Sequence, residues 1–578
     1  MKGEFAAMNR WFSVGRVMFG IAAAVSLLVA GSVEVWAQAG YSVADLRVAL
    51  EALAVGGEPG VVSAAGITRD DTPLLTLENP SPFDSTSTAH RIVLVGGLNG
   101  DADSARMVVD AVRWFKTGAS AAEKQGWVVS ALPWAAPMAA DGRLPARFPP
   151  VEGFFDHSEQ PESRYLWRWV TYQAPDLVVE VRVGSAFSLR GGSPRTGVAD
   201  GSLVAALTAP REAEGLGSVE TFVATARPED GAVVMRAVLA RASARRSALR
   251  AVLAERVARD PLEVAQVLAR RYPETPGMSY IPAVAWVHTL RLARLTGEQS
   301  LRDKVLAEVR PWLTGQQPLF GDTIRFSAVA GTMIFGELKT SSEPNRDVVS
   351  RLAAEGVTHG AAERLPGVPQ HGFGWSDDLF LGTIAAIRAG DPAGLEAATR
   401  LITNYARRLQ QSDGLFYHAP DAPVAWGRGN GFAALGLAEI LTVLPSGHSA
   451  RGSILEIYHR QMRGLKTQQA PDGMWREVVD VPGSYRETSV TALALTAMAR
   501  GVRLGWLDES YRTVIERAWR AVLAHVRDDG RLVDVCISTG AGPSQRYYLD
   551  RPAVNGADDR GGAMVLGAAL EIYALAQG

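Results

Sequence analysis

The chain has 578 residues, too many for one hydrophobic core, so two or three domains are expected. With 59 Lys and Arg against 61 Asp and Glu, a formal net charge of −2, no overall field favours nucleic acid or an acidic polymer, and an anionic ligand must be held locally. One cysteine, Cys536, excludes an internal disulfide framework and a thiolate-rich zinc site within the chain.

At the amino terminus, Arg10 and Arg16 precede an apolar run from Val17 to Val33 that holds no charge, and Val35-Trp36-Ala37-Gln38-Ala39 offers small residues at cleavage positions. Residues 1–39 read as a signal peptide. A periplasmic or secreted protein follows, with no stable membrane partner once the signal is cleaved. A retained single anchor is the alternative, because about 17 apolar residues reach the lower limit of a span.

Residues 40–232 alternate strand-like runs (Ile92 to Val95, Trp127 to Leu132, Leu177 to Val181) with helical ones (Ser104 to Trp114, Glu162 to Tyr172), the pattern of an α/β layer with mainly parallel strands. Within it, Gly96-Gly97-Leu98-Asn99-Gly100-Asp101-Ala102 resembles the loop of zinc carboxypeptidases in which His and Glu, three residues apart, bind the metal. Asp176 to Arg182 resembles the strand that brings the third ligand. Here the three positions hold Asn99, Ala102 and Arg182, whereas zinc needs imidazole or carboxylate donors. The resemblance implies a degenerate carboxypeptidase-like domain with no metal chemistry; a structural α/β domain with a Gly-rich turn is the plainer alternative. Residues 233–260, rich in Ala and Arg and free of breakers, read as one long linker helix with a solvated basic face.

Residues 261–578 are helix-rich. Asp413-Gly414, Asp472-Gly473 and Asp529-Gly530 recur at nearly equal spacing, each a turn signal, with two apolar helical segments per interval. Eleven helical segments are visible, including Arg325 to Leu338, Leu379 to Ala389, Gly431 to Leu444 and Ser489 to Arg503, and a missed first helix would complete twelve. Six helical hairpins closed into an all-α (α/α)6 barrel are the expected fold, with an open superhelix as the competitor.

The loops entering the inner helices gather acids and tryptophans: Trp375-Ser376-Asp377-Asp378, His418 through Asp421 to Trp426-Gly427-Arg428, and Trp475-Arg476-Glu477 through Tyr485-Arg486-Glu487. Indole faces stack on sugar rings and carboxylates move protons. Each residue also has a plain reading: Asp377 or Asp378 as a helix cap, Asp421 as a solvated loop acid, Trp375, Trp426 and Trp475 as rim packing.

Taken in order, Asp413 to His418, Trp426 to Phe432, Asp472 to Val478, Tyr485 to Ser489 and Asp559 to Glu571 closely resemble the motifs of unsaturated rhamnogalacturonyl hydrolases, glycoside hydrolase family 105, relatives of the unsaturated glucuronyl hydrolases of family 88. The resemblance implies an oligosaccharide substrate left by a polysaccharide lyase, with a 4,5-unsaturated uronic acid at its non-reducing end. It implies hydration of the vinyl ether without metal or cofactor. By motif position Asp377, Asp378 and Asp421 are the catalytic candidates. The resemblance makes Asp421 the candidate proton donor, as the sole acid in a loop that is shorter here than in many family members. Trp375, His418, Trp426, Arg428, Trp475, Arg476 and Glu487 are the substrate-binding candidates, with Arg428 or Arg476 taking the uronate carboxylate. A non-catalytic carbohydrate-binding or scaffold protein, or another inverting glycosidase on the same barrel, stands beside this reading.

Overall fold

The computed structural model describes residues 41–55, 60–137, 147–150, 161–209, 215–339 and 345–577. The expected signal peptide lies outside the described residues, and among the described ones no helix is long and apolar enough to cross a membrane.

A seven-stranded sheet fills the first domain: β1 (Val61–Ile67), β2 (Pro73–Glu78), β3 (His90–Val95), β4 (Trp127–Leu132), β5 (Leu177–Val183), β6 (Ser188–Gly191) and β7 (Glu220–Ala226), in the order β1-β2-β4-β3-β5-β7-β6. Strands β4, β3, β5 and β7 are parallel, while the β1–β2 hairpin and β6 form antiparallel edges. The central strands are apolar on both sides because both faces are covered. Helices Val43–Val55, Ala102–Arg113 and Gly231–Arg241 lie on one face, and Pro161–Tyr172 on the other. The α/β class is as the sequence indicated.

The single linker helix is not observed. The segment is two helices, Gly231–Arg241 and Ala248–Val257. Ser247 ends the continuity: its backbone N–H donates to Asp176, its hydroxyl donates to the Pro175 carbonyl and accepts from the N–H of Arg250. Such local serine bonds compete with the helix ladder and favour a cap. The basic face is solvated only in its first half: Arg236, Arg241, Arg245 and Arg246 are exposed. Arg250 and Arg256 are buried, Arg250 against Asp176 and the carbonyls of Ala89 and Ser87, Arg256 against those of Gly215 and Ala524. Buried guanidiniums thus fasten the sheet domain to the helices that follow.

Those helices form twelve rods, numbered here α1 to α12: α1 Pro261–Arg271, α2 Tyr280–Thr296, α3 Gln299–Leu313, α4 Phe326–Gly331 with Met333–Lys339, α5 Arg346–Gly360, α6 Asp378–Leu381 with Ile384–Ala389, α7 Pro392–Leu409, α8 Gly427–Val443, α9 Arg451–Gln468, α10 Thr488–Arg503, α11 Arg512–His525 and α12 Asp559–Gln577. Even-numbered rods make an inner ring in which each packs on the next and α12 returns to α2. The ring is closed, which excludes the open superhelix. The twelfth rod is α1, which the eleven visible segments lacked. Two rods expected to be continuous are broken, α6 where the hydroxyl of Thr383 bonds back to the carbonyls of Leu379 and Phe380. Small residues let the inner backbones touch: a Cβ on Gly436 of α8 would stand 2.3 Å from the Leu379 carbonyl oxygen.

One end of the barrel is closed by charges from the inner rods. Arg291 and Arg294 (α2), Glu337 (α4), Arg388 (α6), Glu439 (α8), Arg500 and Arg503 (α10) and Glu571 (α12) alternate in sign around the ring. The loops converge at the opposite end. The repeated Asp-Gly turns place them there. Asp413, Asp472 and Asp529 each accept the N–H two residues on, at 2.9, 3.0 and 3.0 Å. Gly414 and Gly473 have φ of +90° and +101°, and a Cβ at either would fall 2.0 or 2.4 Å from the carbonyl oxygen of Arg460 or Arg517. Each turn therefore docks on the next outer rod and sends the following residues across the barrel mouth.

The sheet domain covers part of that mouth. Ala65, Ile67 and Tyr165 share one apolar cluster with Val424, Trp426, Met474, Val478, Tyr485 and Tyr548. Arg486 crosses the boundary, bonding Asp472 at 3.2 Å, Glu78 at 3.3 Å and the Ala64 carbonyl at 2.8 Å.

Candidate active site

Asp377 stands at the entry to α6, and His418 follows the Asp413-Gly414 turn. The two loops are joined by a bond from the Ser376 N–H to the His418 carbonyl, 2.8 Å. Nε2 of His418 lies 3.4 Å from Oδ2 of Asp377, and Nδ1 lies 2.7 Å from the hydroxyl of Tyr548. His418 is wholly buried; Asp377 is 8% exposed. Although Asp377 is at a helix N-cap position, its side chain caps nothing, and Oδ2 has no hydrogen-bond partner among the described residues. Gly429 makes room for the neighbouring Ser376, since a Cβ there would lie 2.4 Å from Ser376 Oγ.

Aromatic rings frame the pair. The ring of Trp375 stacks on that of Phe373 with centroids 4.8 Å apart, and His418 is 5.0 Å from Trp375 and 4.6 Å from Trp426. Phe373 is 46% exposed and Trp375 half-buried, so they form the rim, whereas Trp426 is the floor. Residues 425–427 pair with 477–479, which brings Trp426 beside Glu477. Glu477 accepts from the Trp426 indole at 2.9 Å and from the Cys536 thiol at 3.1 Å. Its other oxygen has no partner among the described residues. Burial, reinforced by the charge of Glu487, pushes its carboxyl up to about 8. Arg428 is fully buried, donates to the Cys536 carbonyl at 2.7 Å and lies over the Trp426 ring.

The structure brings together Asp377, His418, Trp375, Trp426 and, behind them, Arg428. It separates the other candidates. Asp378 is turned into its own loop, accepting from Tyr405 Oη and the Gly374 N–H, each at 2.7 Å, and from the Phe373 N–H at 3.3 Å. Burial pushes its carboxyl up to about 7 against those bonds. Asp421 is exposed at the tip of the turn closed by Ala419 and Ala422, so it is not enclosed with Asp377. Trp475 is a core residue with no exposure, its indole donating to the Leu465 carbonyl at 2.7 Å. Arg476 faces the sheet domain, bonding the Gln468 carbonyl and Ser63. Glu487 caps α10 through the N–H groups of Ser489 and Val490. Arg428 and Arg476 are both buried, Arg428 behind Trp426 and Arg476 against the sheet domain.

Tyr548 and Glu477 were not assigned from sequence. Glu477 lies inside the Asp472 to Val478 motif but has no local signal that separates it from Trp475 and Arg476. Tyr548 carries no local signal, because its partner is 130 residues away.

The sequence profile of Glycosyl Hydrolase Family 88 matches residues 273–576, more than half of the chain. An unsaturated 3S-rhamnoglycuronyl hydrolase of an Alteromonas species is 31% identical over 208 residues, 32% of this chain and 50% of that protein. An unsaturated rhamnogalacturonyl hydrolase of Bacillus subtilis is 25% identical over 247 residues, 39% of this chain and 70% of that protein. The match to the Alteromonas protein thus spans half of its length. A solved structure of a possible member of the GH105 family from Klebsiella pneumoniae superposes with a TM-score of 0.49 at 19% identity, covering 57% of this chain and 94% of that one.

Proposed function

The chain belongs to Glycosyl Hydrolase Family 88, and from that membership and the site above we propose that it releases a 4,5-unsaturated uronic acid from the non-reducing end of oligosaccharides left by polysaccharide lyases. The observation that carries the reading is the carboxyl of Asp377, uncommitted among the described residues to any helix cap or ion pair with an arginine, beside a buried histidine and under a rim of stacked aromatic rings. Asp377 delivers a proton to C4 of the vinyl ether, which leaves the positive charge on C5 and the ring oxygen. Water adds at C5 and loses its proton. The hemiketal opens, and the resulting hemiacetal at C1 collapses to release the next sugar. Trp375 and Phe373 offer a face for the ring, and His418 Nε2 stands 3.4 Å from the carboxyl of Asp377.

For the first domain we keep the degenerate carboxypeptidase-like reading on its own residues. Asn99 and Arg182 line one cleft, Arg182 pairs with Glu180 at 2.5 Å, and Ala102 begins a helix, so the three positions supply no zinc donor set. Residues 10–39 support a periplasmic or secreted location, which N-terminal sequencing of the mature protein tests.

Incubation with a panel of lyase-generated oligosaccharides, following the absorbance of the 4,5 double bond, tests the activity. Loss of absorbance with release of the shortened oligosaccharide is expected for at least one substrate. An unchanged double bond across unsaturated glucuronides and galacturonides overturns the reading.

A further inference from the structure

We propose that the sheet domain is a positioning element of the active site: its β1–β2 hairpin holds the short helix Gln545–Leu549, and Tyr548 of that helix orients His418 so that Nε2–H faces Asp377. This rests on the reading of Asp377 as the catalytic acid. The first link is the hydrogen bonding of Tyr548. Its hydroxyl oxygen accepts from the Gly542 N–H at 3.1 Å and stands 2.7 Å from His418 Nδ1. A hydroxyl has one proton to give. With Gly542 able only to donate, Nδ1 is the acceptor within reach among the described residues, so the Tyr548 O–H donates to Nδ1. In a neutral imidazole the ring proton is then on Nε2, the atom 3.4 Å from Asp377 Oδ2.

The second link is the seat of Tyr548. Arg546, two residues before it, donates to the carbonyl of Thr68 at 2.8 Å and pairs with Asp71, both in the turn between β1 and β2. Arg69 of the same turn pairs with Asp550 at 2.9 Å. Between these clasps, Tyr548 and Leu549 are buried in the apolar cluster that includes Ile67, Tyr165 and Leu166 of the sheet domain. The exposed ion pairs alone are weak. Together with the buried face they fix the five-residue helix against the sheet domain. The arrangement gives a non-catalytic domain a task in catalysis: it sets the orientation of a side chain two contacts removed from the substrate.

Tyr548→Phe removes one hydroxyl and keeps the ring. With ¹⁵N-labelled histidine, the wild type should show His418 with Nε2 protonated and Nδ1 as a hydrogen-bonded acceptor, assigned by comparison with His418→Gln. In Tyr548→Phe the acceptor signature at Nδ1 should be lost. On an unsaturated uronide kcat should fall on the order of tenfold with KM unchanged, as for one hydrogen bond lost in the transition state. The double variant Arg69→Ala/Arg546→Ala should reproduce part of both changes while its thermal transition remains cooperative. A wild-type His418 protonated on Nδ1 alone, or a Tyr548→Phe enzyme with full kcat, overturns the role of Tyr548. A double variant with wild-type spectrum and kcat overturns the role of the sheet domain. Because the spectrum needs no substrate, a protein inactive on every lyase product defeats the proposed function while the orientation of His418 is still decided.

Discussion

His418 Nε2 and Asp377 Oδ2 lie 3.4 Å apart at the mouth of the barrel, the histidine sealed from solvent and the carboxyl keeping a narrow exposed edge. That edge distinguishes Asp377 from every other acid the sequence offered. Asp378 is enclosed by three donors, Glu487 by the first turn of α10, and Asp421 is on an open turn.

Asp377→Asn should lower turnover of an unsaturated uronide by about 10²–10⁴, the contribution of a positioned general acid. Its thermal midpoint should stay near that of the wild type, because the carboxyl caps no helix. Asp421→Asn should stay within a few-fold of full activity. Double-bond absorbance decides both, and a dead Asp421→Asn enzyme with an active Asp377→Asn enzyme would reverse the assignment.

The barrel was legible because its signals are local. Asp-Gly turns and apolar helical periodicity repeat along the chain, and each is read within a few residues. Asp377, His418, Trp375 and Trp426 were found as motif members, and the structure groups them. Of the candidates turned away from the site, Asp378 and Glu487 are taken up by backbone N–H groups within five residues, whereas others follow partners remote in sequence. Trp475 and Arg476 are adjacent to Glu477, yet one enters the barrel core and the next meets Ser63 of the sheet domain. Arg250 and Arg256 read as a solvated stripe, since the carbonyls and the carboxylate that receive them come from distant segments. Tyr548 is invisible for the same reason.

The two tryptophans at the outset alike in sequence should part company experimentally. Trp375→Ala, at the rim, should raise KM severalfold with little loss of stability. Trp475→Ala removes a side chain with no exposure and should cost about 3–5 kcal/mol. Urea unfolding together with initial rates on the folded fraction separates the two effects. A raised KM for folded Trp475→Ala would show the ring to be nearer the substrate than its burial indicates.

Arg486 is bonded to Asp472 of the barrel and to Glu78 and the Ala64 carbonyl of the sheet domain, all buried. Arg486→Ala would leave two carboxylates buried without their cation, a change that costs about 3–5 kcal/mol. Calorimetry should show one transition for the wild type and either a lower single transition or two separated ones for the variant. An unshifted transition would mean that the shared apolar cluster alone joins the domains.

Glu477 supplies a pH dependence whose sign is fixed by its surroundings. Burial, with Glu487 nearby, lifts its carboxyl from 4.5 to about 8 in the folded protein. The folded state therefore binds this proton more tightly than the unfolded chain. The stability it contributes is fully present below about pH 4.5 and is lost as pH rises through 8, with a slope of at most about 1.4 kcal/mol per pH unit. Glu477→Gln keeps an acceptor for the Trp426 indole and the Cys536 thiol and cannot ionise. Its midpoint should lie close to that of the wild type at pH 5 and clearly above it at pH 9, with the difference growing between the two. A difference that stays constant from pH 5 to 9 would show that Glu477 is already ionised in the fold, with the charge of Arg428 outweighing the burial.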